Sequence, residues 1–161
     1  MKDEFGDRMK LYYEARSKTS LMRRTPVIIR LDGKAFHTFT KGFVKPFDEC
    51  MSKAMQETMK YLCENIQGCV LGYTQSDEIT LVLIDYQKLT TDAWFDYEVQ
   101  KICSVAASMA TFIFNRQFQV QVNELSWKGE LADENLAKSY IRAIKSGAVF
   151  DARCFNIPKE E

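Results

Sequence analysis

This 161-residue chain is poor in the features that define several protein classes. It has one histidine, His37, and five cysteines, Cys50, Cys63, Cys69, Cys103 and Cys154, no two of them in a CxxC pair. A Cys/His zinc site would need mostly thiolates at irregular spacing, which argues against structural zinc. The odd number argues against a disulfide framework and for reduced, mostly buried thiols. Net charge is also lacking, with 22 Lys and Arg against 22 Asp and Glu. Neutrality argues against a strongly basic coat for nucleic acid, but not against a local basic face beside an acidic site. No apolar run reaches the roughly 18 residues of a membrane span. The opening MKDEFGDRMK carries acids and has no apolar core, so it is not a signal peptide. Repeats and low-complexity stretches are missing too. The expectation is a soluble, cytoplasmic protein with no membrane partner.

The residues that are present suffice for one domain with its own core: 46% are hydrophobic and 12% aromatic. Residues 3–20 have Phe5, Met9, Tyr12 and Tyr13 at helical spacing, with acids early and cations late. Val27–Leu31 is a β-branched run that predicts a buried strand, stopped by the turn signal Asp32-Gly33. Residues 34–46 suggest a loop. From Phe47 the stripe Met51, Ala54, Met55, Thr58, Met59 and Leu62 predicts a helix that stops near Gly68. Cys69–Tyr73 and Glu78–Ile84 predict two strands, and the short polar break between them predicts a hairpin. Residues 93–115 form a third helical pattern. Residues 116–130 are ambiguous, with weak strand propensity over Phe118–Val122. Residues 131–145 form a short amphipathic pattern on Leu136, Tyr140, Ile141 and Ile144, ended by Gly147. Ala148–Phe155 predicts the last strand.

After the N-terminal helix the order is βαββαβ. That is the order of an α+β, ferredoxin-like, polymerase-type palm: an antiparallel sheet with its helices on one face and the other face open. Such an order brings the end of the first strand close to the hairpin between the second and third. Asp32 and Asp77 then fall together. Alone, an Asp-Gly after a strand is ordinarily a turn, and a Ser-Asp-Glu hairpin is ordinarily solvated. Their joint placement is what suggests metal, because Mg²⁺ is held by one or two carboxylates plus substrate phosphates. Glu78 alternates away from Asp77 and is a supporting candidate. Lys34, His37, Lys41 and Lys45 follow Asp32 in a loop suited to triphosphate or to plain solvation. His37 fits a structural hydrogen-bonding role better than that of a base. Phe36, Phe39, Phe43 and Phe47 fit core better than base stacking. The stripe of Met51, Met55 and Met59 is core. For Arg23, Arg24, Arg142 and Lys145 a solvated surface is the default, and phosphate contact the alternative.

Pro26-Val27-Ile28-Ile29-Arg30-Leu31-Asp32-Gly33-Lys34-Ala35-Phe36-His37, Lys45-Pro46-Phe47-Asp48, Gly72-Tyr73-Thr74-Gln75-Ser76-Asp77-Glu78 and Phe150-Asp151-Ala152-Arg153 occur in an order that resembles the tRNA-histidine guanylyltransferases and their 3′-to-5′ polymerase relatives. The resemblance implies that Asp32 and Asp77 are catalytic and ligate two Mg²⁺, with the Gly33 carbonyl helping. It implies that Asp32, Gly33, Lys34, Ala35, Phe36 and His37, with Ser76 and Asp77, cradle a nucleoside triphosphate, and that Lys45 contacts phosphate. Asp48 and Glu78 become supporting positions. ATP and GTP are the implied substrates, tRNA the implied partner, and a homo-oligomer (dimer or tetramer) the implied assembly. The segment Trp94–Lys101 lacks the basic pair of the eukaryotic enzymes but keeps Lys101, which favours a bacterial-type branch concerned with tRNA 5′-end repair. Family chains run well beyond the Asn156-Ile157-Pro158 point. The expectation is therefore one palm catalytic domain over 1–161, without the family's C-terminal region. Two other classes fit the residues less well: a non-catalytic nucleotide- or RNA-binding palm module, and a palm-type nucleotide cyclase. A binding module has no use for paired carboxylates that repel each other.

Overall fold

The computed structural model describes residues 3–160. Its sheet is built around β1 (Val27–Gly33), where Val27, Ile29 and Leu31 are fully buried and Arg30 is exposed. A strand so apolar belongs at the centre of a sheet with one face against helices. β1 pairs antiparallel with β3 (Glu78–Leu83) on one side and β4 (Phe150–Asn156) on the other. β2 (Cys69–Gln75) adds to β3, giving the order β2-β3-β1-β4. This is the ferredoxin-like palm expected from the order of elements.

The buried face is covered by α4 (Glu49–Asn65) and α5 (Val99–Trp127). α4 starts where Asp48 caps it, the carboxylate accepting from the Met51 amide at 3.0 Å. Of the expected stripe it buries Met51, Ala54, Met55, Thr58 and Leu62, while Met59 is only half-buried against the core. α5 departs from expectation at both ends. Trp94–Tyr97 form a kinked 3₁₀ turn rather than the helix start. The helix then runs straight through the ambiguous segment to Trp127. Phe118-Gln-Val-Gln-Val alternates like a strand, yet Phe114, Phe118 and Val122 also recur every fourth residue. All three are buried, so packing on the core decides in favour of the helical period.

Three further differences have physical causes. The loop expected over 34–46 contains a four-residue helix, α3 (Phe36–Phe39), because both of its phenylalanines turn into the core. α6 (Glu134–Ser146) is capped by Asp133 and ends at Gly147, whose φ is 68°. Its expected stripe is only partly buried: Tyr140 and Ala143 are inside, while Ile141 is half exposed to solvent. The N-terminal helix forms as α1 (Glu4–Met9), a π-helical turn (Lys10–Glu14) and α2 (Ala15–Ser17), but none of its residues is buried. The Phe5, Met9, Tyr12 and Tyr13 stripe therefore faces solvent.

All five cysteines are free thiols, but only Cys50 is fully buried and the other four are half-buried. The thiols at Cys69 and Cys154 are pushed up from the ordinary 9.0 by burial, and then by neighbouring thiols. Burial, and then the charge of Asp85, pushes the Tyr97 phenol up to about 12 from 10.0. These groups keep their protons to higher pH when folded than when unfolded. Between the two values the unfolded chain binds fewer protons, so stability falls as pH rises. The contribution is intact below about pH 9 and is lost toward about pH 12. A urea-midpoint series should be flat up to about pH 9 and decline above it. A midpoint that rises over that range would contradict the assignment.

Among the described residues, no helix is long and apolar enough to cross a membrane.

Candidate active site

The alternation of β1 that buries Leu31 turns Asp32 to the open face of the sheet, where it is half-buried. The antiparallel register sets Asp32 beside Glu78 of β3 and Asp151 of β4. β2 and β3 are joined by the two-residue turn Ser76-Asp77. Ser76 takes a left-handed φ of 56°, as the first position of a tight hairpin requires. The Gly33 amide donates to the Asp77 carbonyl at 3.2 Å, which closes the strand end onto the turn. Asp32 and Asp77 consequently line one cleft of about 490 Å³, with Gly33, Ala35, Phe36, His37, Thr40, Met51 and Ser76.

The chemistry of this carboxylate pair suits a divalent cation. Among the described residues neither Asp32 nor Asp77 belongs to an ion pair. Ser76 Oγ donates to Asp77 Oδ1 at 2.9 Å. Glu78 is otherwise engaged: Arg30 Nη2 donates to both of its carboxylate oxygens, at 2.6 and 2.7 Å. No group of three or more Cys, His, Asp or Glu side chains suited to a metal occurs among the described residues. Two hard oxygen donors without a cage match Mg²⁺, which keeps waters and takes further ligands from phosphate.

The loop after Asp32 is sterically demanding. A Cβ on Gly33 would lie 2.3 Å from the Phe36 ring, so only glycine lets the chain pass there. Ala35 has a φ of 55°, a conformation costing a non-glycine residue roughly 1 kcal/mol. Phe36 is buried against Phe39, Phe114 and Phe150, so it forms the cleft floor. Phe39 and Phe43 are likewise core, but Phe47 is 82% exposed and departs from that expectation. The Lys34 amide donates to the Val149 carbonyl at 2.8 Å, and the residue itself is exposed. His37 is also exposed, at the cleft edge. Lys45 lies in an adjoining cavity of about 550 Å³ with Pro46, Phe47, Met55, Gln56 and Gln75. The two spaces share Thr40, Met51 and Ser76.

Asp48 is buried and fully occupied. It accepts from the amides of Val44 (3.2 Å) and Met51 (3.0 Å) and from the Tyr140 hydroxyl (2.8 Å). The arginines treated as solvated by default are structural. Arg23 Nε donates to the buried Asp85 carboxylate at 2.5 Å, and the Arg24 amide donates to the same group at 2.8 Å. The Arg24 guanidinium donates to the Lys88 and Leu89 carbonyls. Arg142 donates to the carbonyls of Phe39 (2.9 Å) and Lys41 (2.7 Å). Tyr140, Thr40 and Met51 were not singled out for the site from the sequence. Tyr140 and Asp48 are 92 residues apart, and no local pattern links them.

A ferredoxin-like sheet with Asp32 at the end of its central strand and Asp77 in the adjoining hairpin defines a palm-fold protein. The family described as tRNAHis guanylyltransferase (Thg1) matches residues 6–158. The chain belongs to that family. It is 32% identical over 158 residues to the uncharacterized protein R259 of Acanthamoeba polyphaga mimivirus, covering 94% of this chain and 51% of that one. It is 31% identical over 110 residues to the tRNA(His) guanylyltransferase of Schizosaccharomyces pombe, covering 65% and 41%. A bacterial Thg1-like protein solved in complex with ATP matches 98% of this chain and 59% of its own, with a TM-score of 0.79 and 43% identity. The same description in complex with GTP matches at 0.79 and 43%, covering 99% and 66%. The chain spans about half the length of the curated relatives it matches.

Proposed function

We propose that this chain is the catalytic palm of a nucleotidyltransferase that adds nucleotides in the 3′-to-5′ direction to the 5′ end of tRNA. The observation that carries this reading is the pair Asp32 and Asp77, held together by the Gly33–Asp77 backbone bond and free of ion pairs among the described residues. Asp32, Asp77 and the Gly33 carbonyl would hold Mg²⁺. Bound there, two such ions would lower the cost of developing charge on the attacking and leaving oxygens. The chain's own groups do the rest. His37 at the cleft edge and Lys45 in the adjoining cavity would place N–H donors and positive charge along a triphosphate, with the exposed Lys34 beside but not lining either space, and Ser76 orients the Asp77 carboxylate. The cavity beside Lys45, with Pro46, Phe47 and Met55 in its wall, offers apolar surface for a base. The bacterial relatives solved with ATP and with GTP support nucleoside triphosphates as ligands. The family description supports tRNA as acceptor.

The test is extension of a 5′-monophosphorylated tRNA lacking its first nucleotide, with ATP, GTP and Mg²⁺. A product lengthened at its 5′ end is expected. An unextended tRNA alongside retained ATP binding would replace the reading with a binding module. A cyclic nucleotide formed from ATP without tRNA would replace it with a cyclase.

A further inference from the structure

The segment that carries Lys45, residues 39–48, crosses from α3 to α4 with few bonds of its own. It is held from a distance by α6, which lines neither the carboxylate cleft nor the cavity beside it. Arg142 Nη2 donates to two carbonyls of the segment, Phe39 at 2.9 Å and Lys41 at 2.7 Å, on either side of Thr40. Gly42 packs so tightly on α6 that a Cβ there would lie 2.3 Å from Ser139 Oγ. The Tyr140 hydroxyl donates to Asp48, the same carboxylate oxygen that receives the Val44 amide next to Lys45. Three residues within one turn of α6 thus fix both ends and the middle of the segment.

We propose that Tyr140 and Arg142 are positioning residues that set affinity for the nucleotide by holding the Lys45 segment against the cleft. This rests on the nucleotide-site reading above. Neither side chain lines the spaces where substrate would sit, so each acts at a distance, Arg142 through backbone carbonyls and Tyr140 through the Asp48 carboxylate. Asp48 is 7% exposed, and its carboxylate needs all three donors because a buried charge short of a partner costs its uncompensated desolvation. Burial, followed by the bond to Asp48, pushes the Tyr140 phenol far upward, so it remains a donor throughout the working pH range. Arg142 supplies two N–H groups to carbonyls that the short α3 leaves unpaired. Losing either anchor frees Lys45 to sample positions away from the phosphates, and ordering it again on binding costs affinity.

The experiment is an equilibrium titration of Mg²⁺–ATP into the whole chain, paired with steady-state kinetics of tRNA extension. Arg142→Ala and Tyr140→Phe should each weaken ATP binding and raise its KM about tenfold, with kcat within about twofold. Arg142→Lys, which keeps a charged N–H donor on a shorter stem, should recover part of the loss. Amides of residues 40–45 should exchange faster in Arg142→Ala and recover in Arg142→Lys. Lys138→Ala, on the exposed side of α6 in an ion pair with Glu134, should change nothing. Unchanged ATP affinity in Arg142→Ala overturns the inference. So does a fall in kcat with KM fixed, or an Arg142→Lys no better than alanine. If Tyr140→Phe fails to fold, the exposed Arg142 carries the test alone. A wild-type chain that binds neither ATP nor GTP overturns the nucleotide-site reading itself, a different outcome from variants that bind as well as wild type.

Discussion

Replacing Asp77 with alanine should lower nucleotide addition roughly 10³-fold while leaving the fold intact. The proposed metals contribute several kcal/mol of charge stabilisation, and each 1.36 kcal/mol is a factor of ten in rate. The stability side follows from the surroundings. Asp77 sits half-buried in a two-residue turn, with its side chain bonded only to its neighbour Ser76. What closes the turn on β1 is its backbone carbonyl, which alanine retains. Removing one of two adjacent carboxylates also relieves their repulsion. The thermal midpoint of Asp77→Ala should therefore equal or slightly exceed that of the wild type. Extension kinetics and a melting curve on the same preparation test both halves. A variant that extends tRNA at the wild-type rate would remove Asp77 from the chemistry. A variant that melts early would make its loss of activity uninformative, and Asp77→Asn would then be the substitution to measure.

Phe118→Ala should be the most damaging core change. Phe118 is 1% exposed and packs on Phe39, Phe43, Phe114 and Tyr140, stacked on Phe43 at 5.5 Å and edge-on to Tyr140 at 5.7 Å. Truncating such a ring costs about 3–5 kcal/mol in lost burial and residual cavity. For a chain of this length that lowers the thermal midpoint by about 10 °C. Phe118→Leu fills more of the space and should cost less than about 1.5 kcal/mol if it repacks. Because the ring also supports Phe43 and Tyr140, the alanine variant should bind ATP more weakly than its fraction folded predicts. Equal melting temperatures for the two variants would mean that the cluster is not the packed centre it forms here.

How much of this could be read from the residues differs from element to element. The central strand was legible because Val27–Leu31 combines β-branched residues with a turn signal and has no competing helical period. Asp32 and Asp77 were legible as neighbours because the order of elements fixes which strand ends meet. α5 was not bounded correctly, because Phe118–Val122 satisfies both periods and only its burial against Phe39 and Phe43 decides between them. The phenylalanines after Asp32 divided as core for Phe36, Phe39 and Phe43 but not Phe47, which falls in the irregular stretch before α4 with its ring outside. Arg23, Arg24 and Arg142 were misjudged for one common reason. Each bonds a group from a distant part of the chain, about 62, 64 and 101 residues away in the cases of Asp85, Lys88 and Lys41, and composition carries no record of such pairings.

The hairpin at Ser76-Asp77 also limits how the chain can change. Strands have a side-chain period of two, so one residue inserted between Gln75 and Glu78 would either be absorbed as a bulge or shift β3 by one position. A shift would turn Ile79, Leu81 and Leu83 out of the core and carry Glu78 away from Arg30. A bulge would move Asp77 off the Gly33 amide. Length variation in this protein should thus be tolerated where α5 gives way to α6, across the exposed residues 128–130, and not in a turn of two residues, where the same count keeps the core inside and the two aspartates together.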